Sequence, residues 1–404
     1  MSLRLALILV VVVMFHTAIN AARPMTSFRA LSLGASVEQL GLLTVAFAGL
    51  GVLLAIPLGR AVDRWGAKHF VIGASAIVAV ASVVLWLADA LPLIFVAQPL
   101  VGMGQLAGAV SLQTLIATAG AADRTDSRFG SLAAGVSFAQ FAGPAAAGLL
   151  AEFAIAHHLV RPGDIHGATF VFPIAAGLAA VAAVLALWLK DTPHGPRPQR
   201  PTIGTAVGDV LGVIRQRGVA SALIVSVVVF GATDLLTVYL PAYGDAVGWS
   251  VGYVSLVLSV RAAASFALRL AFTPMLNVLG RRGLLVAGCV AAAVSAAAIP
   301  FAGAAALPVV LIALYGFAVG AGQPLSMAWV ARAAPAGLRS TGLGVRLTVN
   351  QLWLVVTPPI VAAVIVLAGP ALLFFTMAAL LAGSVVPAVR APLKDSGKEP
   401  PLAE

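Results

Sequence analysis

The stretch GRAVDRWGAKH, residues 59–69, forms a short charged joint between two long apolar runs, near 37–58 and 68–90. It contains two glycines, an Asp-Arg pair and a lysine within ten positions. Each flanking run has about 20 residues, the length of helix that crosses a bilayer. The stretch therefore predicts a tight loop between two membrane-spanning helices.

Outward from this loop, apolar runs of similar length recur along all 404 residues. Because 61% of the residues are hydrophobic and only 9% are charged, with a mean hydropathy of +1.05, the chain cannot cover a water-facing surface of this size. Strand-like alternation is absent, which excludes a transmembrane barrel. The sequence predicts an all-α membrane protein of twelve helices, with spans near 3–26, 37–58, 68–90, 92–119, 129–154, 167–189, 217–243, 250–279, 283–302, 307–333, 340–367 and 370–389.

The first run shares features with a cleaved signal peptide, since Arg4 lies at its start and alanines occupy positions 18, 21 and 22. It is long for a signal, however, and many spans follow it, so we expect a membrane helix. The single cysteine, Cys289, leaves no intrachain disulfide. We expect no cofactor and no metal site, because the loop histidines between the fifth and sixth spans are loosely spaced: His157, His158 and His166.

The basic residues predict the orientation of the chain. Of the 24 lysines and arginines, eighteen lie at the N-terminus, in loops after even-numbered spans or in the tail, and only Arg29 and Arg161 fall in the opposite loops. By the positive-inside rule both termini are cytoplasmic, as in a multi-pass protein of the cell inner membrane. Topology thus explains the net charge of +10, and the expected surroundings are membrane lipids rather than nucleic acid.

The longest polar joint divides the chain into two sets of six spans. We expect an N-terminal bundle at 1–190, a cytoplasmic linker at 191–216, a C-terminal bundle at 217–390 and a cytoplasmic tail at 391–404. The two sets share matching residues: Arg128, Leu132, Ser137 and Gln140 match Arg339, Leu343, Thr348 and Gln351 at an offset of 211, and GMGQ at 102–105 matches GAGQ at 320–323 at an offset of 218. Such a duplication suits alternating access around a substrate site between the halves.

The loop at 59–69 resembles the G-x-L-a-D-R-x-G-R-[KR] signature between the second and third helices of the major facilitator superfamily. A decayed copy occupies 273–282. The resemblance implies two pseudo-symmetric six-helix bundles and a transporter. We expect the motif residues to act as a conformational latch that breaks as the transporter turns over; the alternative is an ordinary tight turn. These residues are Gly59, Asp63, Arg64, Gly66 and Lys68, with Asn277 and Arg281 in the copy.

The fifth span is similar to the glycine-proline motif of the drug/proton antiporter branch at Gly143 and Pro144. It lacks that motif's further glycines at Ala139 and Ala147, and a simple packing kink is the alternative. Gln98 stands where that branch usually has an arginine. In the fourth span, Gly104 and Gly108 have the small-xxx-small spacing that permits close helix packing.

Charged and polar residues within the spans are the candidates for binding the substrate and the coupling ion. Such groups are unfavourable inside the bilayer, so their presence there indicates a function. Asp234 is the candidate coupling carboxylate: burial disfavours its ionised form and a nearby arginine favours it, so a change of surroundings can bind and release a proton. A neutralising bridge from Asp234 to Arg261 is the structural alternative, and Arg23 could instead extend to the headgroups. The substrate and coupling candidates are Asp234, Arg261, Arg23, Asn20, His16, Gln98, Gln105, Gln323, Arg346 and Asn350.

Four intramembrane arginines, the fourth being Arg269, outnumber the one aspartate, so an anionic substrate would balance the charge. The sequence therefore predicts a monomeric secondary transporter of a small organic solute, with a preference for an organic anion and coupling to protons or another ion. Efflux of drug-like amphiphiles by proton antiport is the alternative. An enzyme is not expected, because hydrolase and nucleotide-binding motifs are missing, and a channel fits the duplication less well.

Overall fold

A computed structural model describes residues 3–119, 125–190, 210–216, 218–303, 306–333 and 339–390. In these ranges the regular structure is helical, and twelve helices are long and apolar enough to cross a membrane. The predicted fold class is therefore confirmed. The orientation of the termini, the division into bundles, linker and tail, and the monomeric state stay predictions.

Six helices make up the first half of the chain. The outer end of a span is here the end predicted to face away from the cytoplasm. A capping box begins α2, where Ser36 and Gln39 each bond the other's backbone. α1 packs on α5 and α6, α3 packs on α4 and α6, and α2 packs on α4. The bounds are α1 Leu3–Ser32, α2 Val37–Trp65, α3 Ala67–Leu87, α4 Leu91–Ala117, α5 Thr125–Ala156 and α6 Ala168–Ala186.

The second half repeats the six spans with seven helices, because its fourth span is broken at Gly320 and Ala321 into α10 and α11. A 3₁₀ turn at Ile299–Phe301 ends α9, which packs on α10. The bounds are α7 Val219–Ala246, α8 Val251–Leu270, α9 Phe272–Ala298, α10 Ala306–Val319, α11 Gly322–Ala333, α12 Arg339–Ala368 and α13 Leu372–Val389.

The loop motif and its decayed copy adopt the same backbone turn. Gly66, between α2 and α3, has φ 87° and ψ 139°, and Gly280, inside α9, has φ 66° and ψ 170°. Only glycine adopts this region without strain, so both turns depend on the second glycine of the motif. The turn at Gly280 also shows where sequence boundaries were wrong: the predicted span 250–279 ends at Leu270, and the residues from Phe272 to the turn form a separate helical segment.

The chain forms two compact units that cut across several helices. Unit 1 comprises residues 1–197, 234–263 and 354–373, so it holds the first six helices with the outer segments of α7, α8 and α12. Unit 2 comprises residues 198–233, 264–353 and 374–404. Within unit 1, the two halves of the sequence therefore pack against each other at the outer end.

Candidate functional site

A buried ion pair joins α1 to α7 inside unit 1. Arg23 Nη1 donates to Asp234 Oδ1 at 2.7 Å, and the two side chains are 16% and 7% exposed. The Arg23 guanidinium also lies over the ring of Phe47 from α2, 4.3 Å from the ring centroid. Asp234 Oδ2 is buried and accepts no hydrogen bond from the residues that the structure describes. Among the described residues, the carboxylate is thus held through one oxygen only.

This pairing differs from both alternatives that the sequence suggested. Asp234 meets Arg23 rather than Arg261, and Arg23 turns inward instead of extending to the headgroups. Helix length is the reason, because α1 runs on to Ser32 and α7 to Ala246. At about 1.5 Å per residue, Arg23 lies roughly 14 Å and Asp234 roughly 18 Å from the outer ends of their helices.

Arg23 and Asp234 belong to the equivalent first helices of the two repeats, α1 and α7. The offset between the repeats varies along the chain, from 211 in the fifth and eleventh spans to 214 at the loop motif and its copy and 218 between GMGQ and GAGQ. The duplication therefore relates the two helices, but no single offset predicts which of their residues pair.

The remaining candidates of α1, α4 and α8 lie in the same unit but are held differently. His16 Nδ1 contacts the Val12 carbonyl at 3.0 Å, and Asn20 donates to the His16 carbonyl at 2.8 Å, so both bond their own helix. Gln98 is buried, and Gln105 Oε1 accepts no hydrogen bond from described residues. Arg261 is buried in α8. None of the contacts found for His16 and Asn20 reaches Asp234.

Glycine and proline of the fifth span pack on α1. A Cβ added at Gly143 would lie 2.8 Å from Asn20 Cβ and 3.0 Å from the Ala21 nitrogen, so this glycine permits close contact beside the candidate Asn20. Pro144 lies inside α5 without ending it. In α4, a Cβ at Gly104 would lie 2.7 Å from Val78 Cγ2, and one at Gly108 would lie 2.3 Å from the Phe15 ring.

Acidic and imidazole groups at the outer end of unit 1 were missed by sequence reasoning. His166, in the loop before α6, contacts Ser32 Oγ through Nδ1 at 2.9 Å and Asp245 Oδ1 through Nε2 at 3.0 Å. Glu152 of α5 accepts from the Gly252 nitrogen at 2.8 Å, in the first turn of α8. An acid inside the predicted span 129–154 was the available signal. These contacts hold the ends of α7 and α8 to the first six helices.

Arg29 is a further correction. It was predicted to lie in an outer loop, yet it occupies the last turn of α1 and is only 2% exposed. Its Nε and Nη2 donate to the Ala88 carbonyl at 3.1 and 2.8 Å, and Nη2 is 3.5 Å from Asp89 Oδ1. The residue therefore caps the end of α3, which explains how the cation is accommodated.

Unit 2 has a polar cluster of its own, where α11 and α12 meet. Arg346 is 5% exposed, and its Nη2 donates to Gln323 Oε1 and to Ser326 Oγ. One turn further along α12, Asn350 Oδ1 accepts from Ser226 of α7 at 3.2 Å. The structure thus places the candidates Gln323, Arg346 and Asn350 together on buried helix faces.

The predicted latch residues lie at the turns between helices. Arg64 is exposed with its guanidinium 5.6 Å from the Trp65 ring, Lys68 is half-buried and Asn277 is exposed. The side chain of Asp63 lies outside the part of the structure that is described. Their role as a latch stays a prediction, as do the roles of Gly59 and Arg281.

Twelve apolar spans in two repeats, joined by a buried ion pair, define the class of polytopic membrane transporters. The chain belongs to the Major Facilitator Superfamily, whose family model matches residues 5–358 and 222–404. It is consequently a transporter and not an enzyme. No curated protein sequence is significantly similar to it.

Solved structures share the fold at low sequence identity. The nucleoside transporter NupG has a TM-score of 0.73 and 15% identity, covering 96% of this chain and 98% of that one. A bacterial homologue of the human lysosomal transporter Spinster, inward-facing and unoccupied, has a TM-score of 0.71 and 16% identity. The match covers 96% of this chain and 93% of that one. A POT family transporter in complex with 5-aminolevulinic acid has a TM-score of 0.76 and 14% identity. The match covers 95% of this chain and 94% of that one. These likenesses concern the fold alone.

Proposed function

We propose that this chain is a proton-coupled secondary transporter that moves a small organic solute, preferentially an organic anion, across the inner membrane by alternating access. The observation that carries the proposal is the buried Arg23–Asp234 pair, which joins the first helices of the two repeats, α1 and α7. Charges buried at this depth are unfavourable and are retained mainly where they serve function.

The pair suggests how proton binding is coupled to the conformational change. A proton on Asp234 would remove the negative charge that holds Arg23. Loss of the proton would restore the ion pair. Because the pair bridges α1 and α7, its breakage also releases a contact between the two repeats.

The chemistry of a fold relative agrees with this preference. 5-Aminolevulinic acid, bound by one POT family transporter, carries a carboxylate, whereas the nucleosides moved by NupG do not. The excess of intramembrane arginines over acids supports a carboxylate as the substrate of the present chain. Export of amphiphiles by proton antiport is the second candidate, and Gly143, packed against Asn20, favours it.

Reconstituted protein with an imposed pH gradient tests the coupling. We expect addition of a transported organic anion to drive a proton flux, read by a pH-sensitive dye inside the vesicles, in the native chain but not in Asp234→Asn. Solute exchange at equal pH should persist in the variant, because it needs no net proton movement. A sodium gradient in place of the pH gradient should give no solute accumulation.

Asp89→Asn is the matched control, since Asp89 is 81% exposed and lies at the outer surface. The anion-driven proton flux of this variant should equal that of the native chain. An unchanged proton flux in Asp234→Asn would refute the coupling role, and a flux driven only by hydrophobic cations would favour amphiphile efflux.

A further inference from the structure

One long stretch in the second half of the chain lacks acidic residues. From residue 246 to residue 394 the sequence contains no Asp or Glu, although it contains nine arginines and lysines. An arginine buried within this stretch cannot be neutralised by a carboxylate from the same stretch. Burial of an unpaired charge is strongly unfavourable, so such an arginine needs another source of negative charge.

Arg346 is one such arginine. It is 5% exposed, and the hydrogen-bond partners of its Nη2 are the neutral oxygens of Gln323 and Ser326. Its Nε is buried and has no acceptor among the described residues. The contacts therefore orient the guanidinium without balancing its charge.

A second donor lies beside Arg346. Gln323 bonds the Arg346 guanidinium through Oε1, and its Nε2 is buried and has no acceptor among the described residues. Trp329 and Trp353 lie on the same two helices, α11 and α12. Buried donors normally find an acceptor, so Arg346 Nε and Gln323 Nε2 together indicate a site for an acceptor that these two helices do not supply.

We propose that Arg346, with Gln323, forms a subsite within unit 2 for the carboxylate of the transported solute. This inference rests on the proposed transport function and names its substrate class as monocarboxylates. One guanidinium balances one negative charge and its planar fork matches a carboxylate, whereas a phosphate dianion would need a second cation. Gln323 holds the guanidinium through Oε1 and offers Nε2 to the same ligand.

Binding can be measured without transport, using the full-length protein in lipid nanodiscs. The probes are butyrate, its neutral isostere butanamide and inorganic phosphate, and the readouts are tryptophan fluorescence and thermal unfolding. We expect butyrate to change the fluorescence saturably and to raise the unfolding temperature. Butanamide and phosphate should do neither at the same concentrations.

Variants then assign the site. Arg346→Gln should weaken butyrate binding at least tenfold, and Arg346→Lys, which keeps the charge without the fork, should give an intermediate loss. Arg390→Gln removes an exposed arginine after α13 and should bind as the native chain does. If Arg346→Gln does not fold, the Lys variant alone decides.

Equal butyrate binding in the native chain and Arg346→Lys would overturn the proposal, as would stronger binding of phosphate or no saturable binding of butyrate. These failures are separable from those of the transport proposal. Proton flux that depends on Asp234 without carboxylate binding refutes only the subsite, and carboxylate binding without coupled flux refutes only the coupling.

Discussion

Arg23 of α1 and Asp234 of α7 lie on the equivalent first helices of the two repeats, with 2.7 Å between Nη1 and Oδ1. Two like charges this close inside a protein would repel each other, whereas opposite charges attract. The different residues on the two helices thus form a direct contact between the repeats that two identical helices could not make.

The pair should show strong coupling in a double-mutant cycle. Arg23→Gln leaves a buried carboxylate without its partner, and we expect it to lower the unfolding temperature, as loss of about 3–5 kcal/mol does elsewhere. Arg23→Gln combined with Asp234→Asn should recover most of that loss, because neither charge remains. Thermal unfolding in nanodiscs measures this. Additive losses in the double variant would contradict a direct pair.

The sequence identified most of the polar residues but not their partners. Hydropathy and charge suffice to locate Asp234 and Arg346 inside spans, since their unfavourable depth is visible from spacing alone. Which residues pair depends on helix length and on which helices pack together. Because α1 is longer than predicted, Arg23 lies further from the end of its helix than the sequence indicated. Glu152 and His166 were missed because their roles come from contacts with the ends of α8 and α7.

The same kind of close contact between a glycine and a neighbouring helix backbone occurs in both halves of the chain. A Cβ added at Gly102 of α4 would lie 1.8 Å from the Phe47 carbonyl oxygen of α2, and one added at Gly320 would lie 2.8 Å from the Ser265 carbonyl oxygen of α8. These glycines begin the matching tetrapeptides GMGQ and GAGQ. The sequence repeat thus corresponds to a repeated close approach of helix backbones.

Gly102→Ala should consequently disrupt the contact between α2 and α4. A backbone carbonyl cannot move aside as a flexible side chain can, so we expect a lower yield of folded protein and a lower unfolding temperature. Gly177→Ala in α6 is the matched control, because an added Cβ there meets no atom within 4 Å. Removing that glycine should be neutral or stabilising by up to about 1 kcal/mol. Equal behaviour of the two variants would disprove the packing argument.

Helix number followed from the sequence, while helix ends did not. Twelve apolar runs are enough to give twelve spans, because the bilayer fixes the length of an apolar helix. The bilayer does not determine where a helix ends in protein or water. α1 therefore continues past its predicted end at residue 26 to Ser32, where Arg29 and His166 supply buried polar contacts that hydropathy cannot detect.

At the scale of the whole molecule, the compact units do not coincide with the two repeats. Unit 1 takes the outer segments of three second-half helices, α7, α8 and α12, together with the first six helices. Its cross-repeat contacts include Glu152 with the Gly252 nitrogen and His166 Nε2 with Asp245 Oδ1 at 3.0 Å. For an alternating-access carrier, contacts between repeats at the outer end must break once in every cycle.

A cross-link between α5 and α8 tests that requirement. A Cβ at Gly252 would lie 2.7 Å from Glu152 Cγ, so Glu152→Cys with Gly252→Cys brings two thiols together, and Cys289→Ser removes the one native cysteine. We expect an oxidant to abolish solute uptake in vesicles and a reductant to restore it, because the disulfide holds the outer end closed. Cys289→Ser alone should transport equally under both conditions. Uptake that continues through the oxidised cross-link, verified by mass spectrometry, would show that these helix ends stay together during transport and would exclude alternation at this contact.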